Sequence, residues 1–309
     1  MSLDPVILAL ITIVGAATPL LLAALGEAVV EKSGVLNLGV EGMMLVGAVA
    51  AFATAVGTGS STLALLAAAL AGAAMALLFG FLTLTLLTSQ VASGLALTIF
   101  GIGLSALIGS PYVGTPLERL ARLKVPGLSD LPVVGPLLFS HDVLVYFGLA
   151  MVPVIAWFLN RSRAGLVLRA VGDNHEAAHA IGYPVIRIRY MAVLFGGMMA
   201  GLGGAYLSLA YTPMWIEQMT AGRGWIALAL VVFAAWRPVG ILIGAYLFGG
   251  VTILQLHAQG GAMIDIASQY LSMLPYIATI VVLTLMSSGA ARRRLQAPAC
   301  LGRPFHPTA

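Results

Sequence analysis

GMMLVGAVAAFATAVGTGSSTLALLAAALAGAAMALLFGFLTLTLLTSQVASGLALTIFGIGLSALIGSPYVGTPL, residues Gly42–Leu117, contains no Asp, Glu, Lys, Arg or His. A helix rises about 1.5 Å per residue, so about 20 apolar residues cross the roughly 30 Å hydrocarbon layer of a membrane. The run is far longer than one buried helix and predicts several crossings in succession. The whole chain follows suit. Its 309 residues are 60% hydrophobic and 8% charged, about a third of the charge of an ordinary soluble domain. That composition excludes a soluble globular protein and leaves no room for a sizeable water-soluble catalytic domain.

Apolar runs bounded by charge or turn residues place spans at 5–25, 38–57, 62–87, 90–109, 143–160, 190–211, 224–236, 239–258 and 267–287. The expected fold class is all-α, a polytopic membrane helix bundle of about 8–10 spans. Segment 224–236 is too short to cross alone, and 26–37 is too polar for a span. Both read as broken or re-entrant segments, which membranes tolerate only where protein or a water-filled cavity covers the open backbone. Asp4 precedes the first span and no Lys or Arg occurs before Lys32, so that segment reads as a retained helix rather than a cleaved signal peptide. One domain is expected over 1–291, followed by a basic, disordered tail over 292–309.

The formal charge of +4 sits in short clusters between spans, which speaks for membrane topology rather than a nucleic-acid surface. Arg161, Arg163, Arg169, Arg187 and Arg189 mark the 161–189 loop as cytoplasmic, and Arg292, Arg293 and Arg294 do the same for the tail. The Pro/Gly-rich 110–142 connection then falls outside. The side of the N-terminus depends on whether 26–37 re-enters. Cys300 is the sole cysteine, so neither a disulfide framework nor a Cys-rich metal site is available. Small residues at intervals of four, Gly197, Gly201 and Ala205 and then Gly240 and Gly244, predict closely packed membrane helices.

Three motifs bear on chemistry. Gly26–Ser33 comes within one residue of G-x-x-x-x-G-K-[ST], but Glu31 replaces the second glycine and sets a negative charge where phosphates would lie. A nucleotide site on this chain is therefore not expected. His175-Glu176-Ala-Ala-His179 matches H-E-x-x-H, the pattern of a zinc protease, although Gly182 and Pro184 stop the helix early and no third ligand is near in sequence. The same stretch also reads as a docking helix. Asp173 and Glu176 form a D-x-x-E capping box, Asn174, Ala177, Ala178 and Ile181 share one face, and Gly182 closes the end.

These residues carry a resemblance. Gly26–Gly47, with Ser33-Gly-Val-Leu-Asn-Leu-Gly-Val-Glu-Gly42 inside it, is similar to the N-terminal signature of ATP-binding-cassette (ABC) importer permeases of the ribose/branched-chain amino acid class, nearest to the nucleoside and simple-sugar branch. Gly165–Gly182 resembles the family's cytoplasmic coupling loop, and Gly196–Ala205 the glycine-rich helix after it. Thr220–Ala229, Arg237–Gly240 and Leu247–Gly249 resemble its late re-entrant region. Ala234-Ala-Trp-Arg237 departs from the pattern, because the family often has Gly before this turn.

The resemblance implies a permease subunit, not an enzyme, in a bacterial cytoplasmic (inner) membrane with its C-terminus in the cytoplasm. Its partners would be ABC ATPase subunits, a second permease subunit as homo- or heterodimer, an extracellular substrate-binding protein and membrane lipid, with no nucleic acid polymer. No cofactor is expected on this chain, ATP and Mg belonging to the ATPase. Arg169, Gly172, Asp173, Asn174, Glu176, Ala177, Ala178, Ile181 and Gly182 would form the ATPase-coupling loop. Polar groups at membrane depth cost free energy unless they face protein or a cavity. Asn37, Glu41, Gln90, Ser93, Thr98 and Gln255 are accordingly the candidates for a translocation path. Few fixed charges in the spans favour a neutral solute, a nucleoside or simple sugar. Branched-chain amino acid uptake, a self-contained secondary transporter or channel, and an intramembrane zinc protease through His175, Glu176 and His179 are the alternatives.

Overall fold

The computed structural model describes residues 5–123, 126–127, 129, 134–260, 270, 273–274, 277, 280–281, 284 and 297–306. The named α-helices among them are, in order, α1 (Pro5–Lys32), α2 (Val40–Thr58), α3 (Ser61–Gly80), α4 (Gln90–Gly109), α5 (Val134–Leu138), α6 (Val143–Arg161), α7 (Arg163–Asp173), α8 (His175–Ala180), α9 (Val185–Tyr206), α10 (Arg223–Phe233) and α11 (Pro238–Gly260). Two π-helical turns, Phe81–Thr85 and Leu207–Tyr211, prolong α3 and α9. Among the described residues there are isolated β-bridges but no strand. Side-chain caps start several helices where the sequence offers Ser or Asp: Ser60 accepts from Leu63 N, Ser89 from Ala92 N, Asp142 from Leu144 N and Val145 N, and Ser162 from Gly165 N.

Seven of these helices are long and apolar enough to cross a membrane among the described residues, so the fold is an all-α polytopic bundle. Helix α9 lies at its centre, 78% of its apolar window buried. The glycine stripe explains how: a Cβ at Gly72 of α3 would overlap the carbonyl oxygen of Gly197, and one at Gly201 would overlap that of Ala68. Only hydrogen at these positions lets the α3 and α9 backbones meet.

The break after the first span is shorter than expected. Residues 26–32 continue α1, buried except for the half-buried Lys32, and only 33–39 is irregular. Segment 224–236 contains an 11-residue helix, α10, which is a half-crossing. Non-helical residues 212–222 bring the chain down to it from the end of α9. The expected 267–287 span lies largely outside the described residues.

One end of the bundle gathers the α1 terminus, the α7–α8 loop, the turn after α10 and residues 297–306. There Lys32 Nζ lies 5.5 Å from the Trp236 ring centre, and Cys300 N donates to Gly172 O at 2.9 Å. The opposite end carries the 110–142 connection, which bridges to Met214 and Trp215. Val14 packs there with Leu120 and Leu144, so α1 begins at this end.

Candidate functional site

The 33–39 segment turns back into the bundle because Gly34, at φ 89, takes a left-handed conformation that suits glycine. Its backbone groups, denied water, are met by side chains. Leu36 N donates to Gln90 Oε1 at 2.8 Å, Gly39 N donates to Asn37 Oδ1 at 3.0 Å, and Thr98 Oγ1 donates to Leu38 O at 3.1 Å. Asn37 Nδ2 reaches back to Glu27 Oε2 at 3.4 Å. Four residues proposed from sequence for the path thus assemble here: Asn37, Glu41, Gln90 and Thr98 are 0%, 4%, 5% and 2% exposed. Three of them hold the broken backbone in place.

Glu41, in the first turn of α2, joins the 33–39 break to the start of α10. Its Oε1 accepts from the Thr220 hydroxyl and from Gly222 N at 2.8 Å, and its Oε2 accepts from Gly224 N at 2.6 Å. The carboxylate therefore caps the exposed amides at the start of α10 while sitting at the favourable N-terminal end of α2. A Cβ at position 224 would run into Glu41, so Gly224 is required for the contact.

Beside this junction lies a cavity of about 510 Å³ lined by Glu41, Ile102, Gln218, Gly222, Trp225 and Ile280, among others. Gln218 and Ala221, two of its lining residues, hold φ 54 and φ 47 in the left-handed region where side chains are strained. Strain of this kind persists when a site needs the backbone shape. Among the described residues Glu41 is the only charged one in the lining, and both of its oxygens are engaged. Ser93 and Gln255 do not join: Ser93 pairs with Thr88 at 2.7 Å, and Gln255 lies on α11 away from the cavity lining.

The loop expected to couple contains two helices. Asn174, not Asp173, is the N-cap of α8, accepting from Ala177 N at 2.9 Å, while Asp173 ends α7. The expected Asp173/Glu176 capping box is thus not formed: α7 uses Asp173 for its last turn, and Ala177 at the N3 position has no side-chain acceptor to return the bond. The proposed common face also divides. Ala178 is buried with Val171, Val185 and Phe305, whereas Ala177 and Ile181 point outward, Ile181 at 73% exposure. Glu176 and Gly182 are exposed, Gly172 is buried, and Arg169 is half-buried on α7. Of the expected apolar face, α8 and its C-cap thus leave Ala177 and Ile181 exposed, not Ala178.

Arg189 lies beneath this loop rather than among the surface charges. At 1% exposure it donates from Nε to Ser33 O at 3.2 Å, from Nη1 to Arg303 O at 3.2 Å and from Nη2 to His175 Nδ1 at 2.9 Å. Accepting that bond requires a neutral ring, and burial followed by the Arg189 charge holds His175 below its ordinary value. Residues 297–306, expected within a disordered tail, pack instead across this end: Gly302 N donates to Gly34 O at 3.1 Å, and Phe305 sits 5.2 Å from the His175 ring and 5.3 Å from the His179 ring. Among the described residues no three His, Cys, Asp or Glu side chains gather to hold a metal ion. Gly26–Lys32 is helical, so its amides serve α1 rather than a phosphate loop.

Sequence reasoning missed Glu27, Glu31, Thr220, Arg189 and Phe305 as structural contacts. Glu31 accepts from Trp236 Nε1 at 2.6 Å, tying α1 to the turn after α10. The available signal was two carboxylates inside an apolar helix, where an ionisable group needs a partner. Nothing local signalled Thr220 or Phe305.

A family model described as branched-chain amino acid transport system / permease component matches residues 9–284. TsgC13 of Haloferax volcanii, which carries the name of a glucose ABC transporter permease, is 42% identical over 95% of this chain and 95% of its own length. The guanosine ABC transporter permease NupQ of Bacillus subtilis is 34% identical over 94% of this chain and 93% of its own. The nucleoside ABC transporter permease NupC of Lactococcus lactis is 34% identical over 87% and 88%.

Proposed function

The chain belongs to the branched-chain amino acid transport system / permease component family, and from that premise we propose that it is the membrane subunit of an ATP-driven importer for a neutral hydroxylated solute, a sugar or nucleoside. The observation that carries the substrate class is the cavity beside Glu41: the one charged group among its described lining residues is already held by three donors. Among those residues a solute with its own charge would find no free counter-charge. The Trp225 indole offers a ring face for a base or sugar, and the Gln218 amide offers both donor and acceptor. The names of the relatives, for glucose, guanosine and nucleosides, point the same way.

In this reading the arginine-rich end faces the cytoplasm and a separate ATPase docks on Ala177 and Ile181 of α8. A second permease subunit closes the open side of the cavity, and an extracellular binding protein delivers solute to the 110–142 end. ATP-driven motion of α8 passes through α7 and Arg189 to the 33–39 segment, and from there to Glu41 and α10. The bundle thereby rocks between two states as a levered rigid element.

The test is uptake by the assembled importer, reconstituted with its binding protein, of labelled guanosine, glucose and leucine. Uptake of guanosine or glucose, lowered about tenfold or more by Trp225→Ala through loss of the stacking face, supports the assignment. Preference for leucine overturns the substrate class in favour of an amino acid.

A further inference from the structure

We propose that the groove between α6, α7 and α9 is a binding site for one anionic phospholipid, with an acyl chain along its floor and the phosphate held by Arg163 and Arg187. The groove is a cavity of about 860 Å³ whose floor is made by Met151, Ile155, Phe158, Leu168, Ile188 and Ala192. Among the described residues that line it, Arg163 and Arg187 are the only charged ones and none is a carboxylate. Both arginines are exposed, one opening α7 and the other in the first turn of α9, at the bundle end where the chain would meet the membrane surface.

The site is built by the packing of α7. Gly165 lets α7 lie tight against the end of α6, where a Cβ would overlap the Phe158 carbonyl. Leu168 and Val171 of α7 then face inward while Arg163 stays out, the arrangement of an interfacial amphipathic helix. Trp157, on the rim and 62% exposed, has the amphipathic ring that settles at headgroup depth. Two planar guanidinium groups at the mouth of an apolar groove complement a phosphate diester carrying hydrocarbon, and basic pockets between helices at this depth recognise anionic headgroups. Charge complementarity thus selects phosphatidylglycerol or a similar lipid over a zwitterionic one. Ile280 lines the cavity beside Glu41, not this groove.

The test uses the full chain purified in detergent and stripped of lipid, examined by native mass spectrometry with added phosphatidylglycerol, phosphatidylcholine or inorganic phosphate. One phosphatidylglycerol per chain, bound about tenfold or more tighter than phosphatidylcholine, is expected, and Arg163→Gln/Arg187→Gln should remove that preference. Met191→Trp, which fills the groove and leaves both arginines, should lower binding of either lipid, so the site remains testable if the double variant does not fold. Equal binding of the two lipids, or a preference unchanged in both variants, would overturn the proposal. So would competition by inorganic phosphate, the mark of a soluble-anion site, or crosslinking of position 191 to a second copy of the chain instead of lipid.

Discussion

Glu41 accepts three hydrogen bonds from the start of α10 and the turn before it, and removing its charge separates anchor from conduit. Glu41→Gln keeps the size but turns an amide N–H₂ toward the donors of Thr220, Gly222 or Gly224. Bonds to a charged group contribute about 1.5–3 kcal/mol each, so the variant should lose a few kcal/mol and melt well below the wild type in detergent. An unchanged melting temperature with lost uptake would instead make Glu41 a group that meets the solute. Ala235 gives a prediction of opposite sign. It holds φ 50, next to Trp236 at φ 57, in the turn where the resembling family often has glycine. Ala235→Gly should relieve about 1 kcal/mol of left-handed strain and raise the thermal midpoint without altering uptake.

At the scale of elements, α8 and the 297–306 segment share a clasp centred on Arg189, and its neutral His175 makes it sensitive to pH. The groups facing His175 are Arg189, Glu176 and Arg303, with the Phe305 ring against it. Because the docked ring is held below its ordinary value, the released ring binds a proton that the docked one does not. Docking is therefore fully present at neutral pH and weakens as pH falls through the ordinary histidine value of about 6.5. Hydrogen exchange at the Cys300 and Gly302 amides, corrected for intrinsic rate, should lose protection between about pH 7.5 and about pH 5.5. His175→Asn, which can still accept from Arg189, should flatten that response, whereas a wild-type protection constant across this range would remove His175 from the clasp. The outer face of α8 makes a separate claim. Ile181→Asp should leave the fold intact, since the side chain is 73% exposed, yet cut ATPase binding about tenfold or more by placing a charge in an apolar contact. Retained affinity would place the docking surface elsewhere.

The molecule as a whole was legible where composition acts and obscure where contacts are distant. The charge-free run from Gly42 to Leu117 carries α2, α3 and α4 almost whole, because apolar length alone decides a crossing. The glycine spacing of α9 likewise anticipated its close approach to α3. Segment 26–37 misled because Glu27, Glu31 and Lys32 read as polar, whereas the distant Trp236 donates to one oxygen of Glu31, Asn37 ten residues on donates to one oxygen of Glu27, and α1 runs on. Ala178 and Ile181 were grouped on one face because helical spacing cannot say which side a tail will cover, and Phe305 covers the Ala178 side. The proposed coupling would run from α8 through Arg189 to Ser33 and along the 33–39 backbone to the Glu41 junction. Its most direct test is solute accumulation in proteoliposomes holding the permease with its ATPase and binding protein, measured with ATP on the α8 side or withheld. Sugar or nucleoside should concentrate inward only with hydrolysable ATP, whereas equal flux without ATP would show a self-contained transporter or channel and contradict an ATP-driven permease.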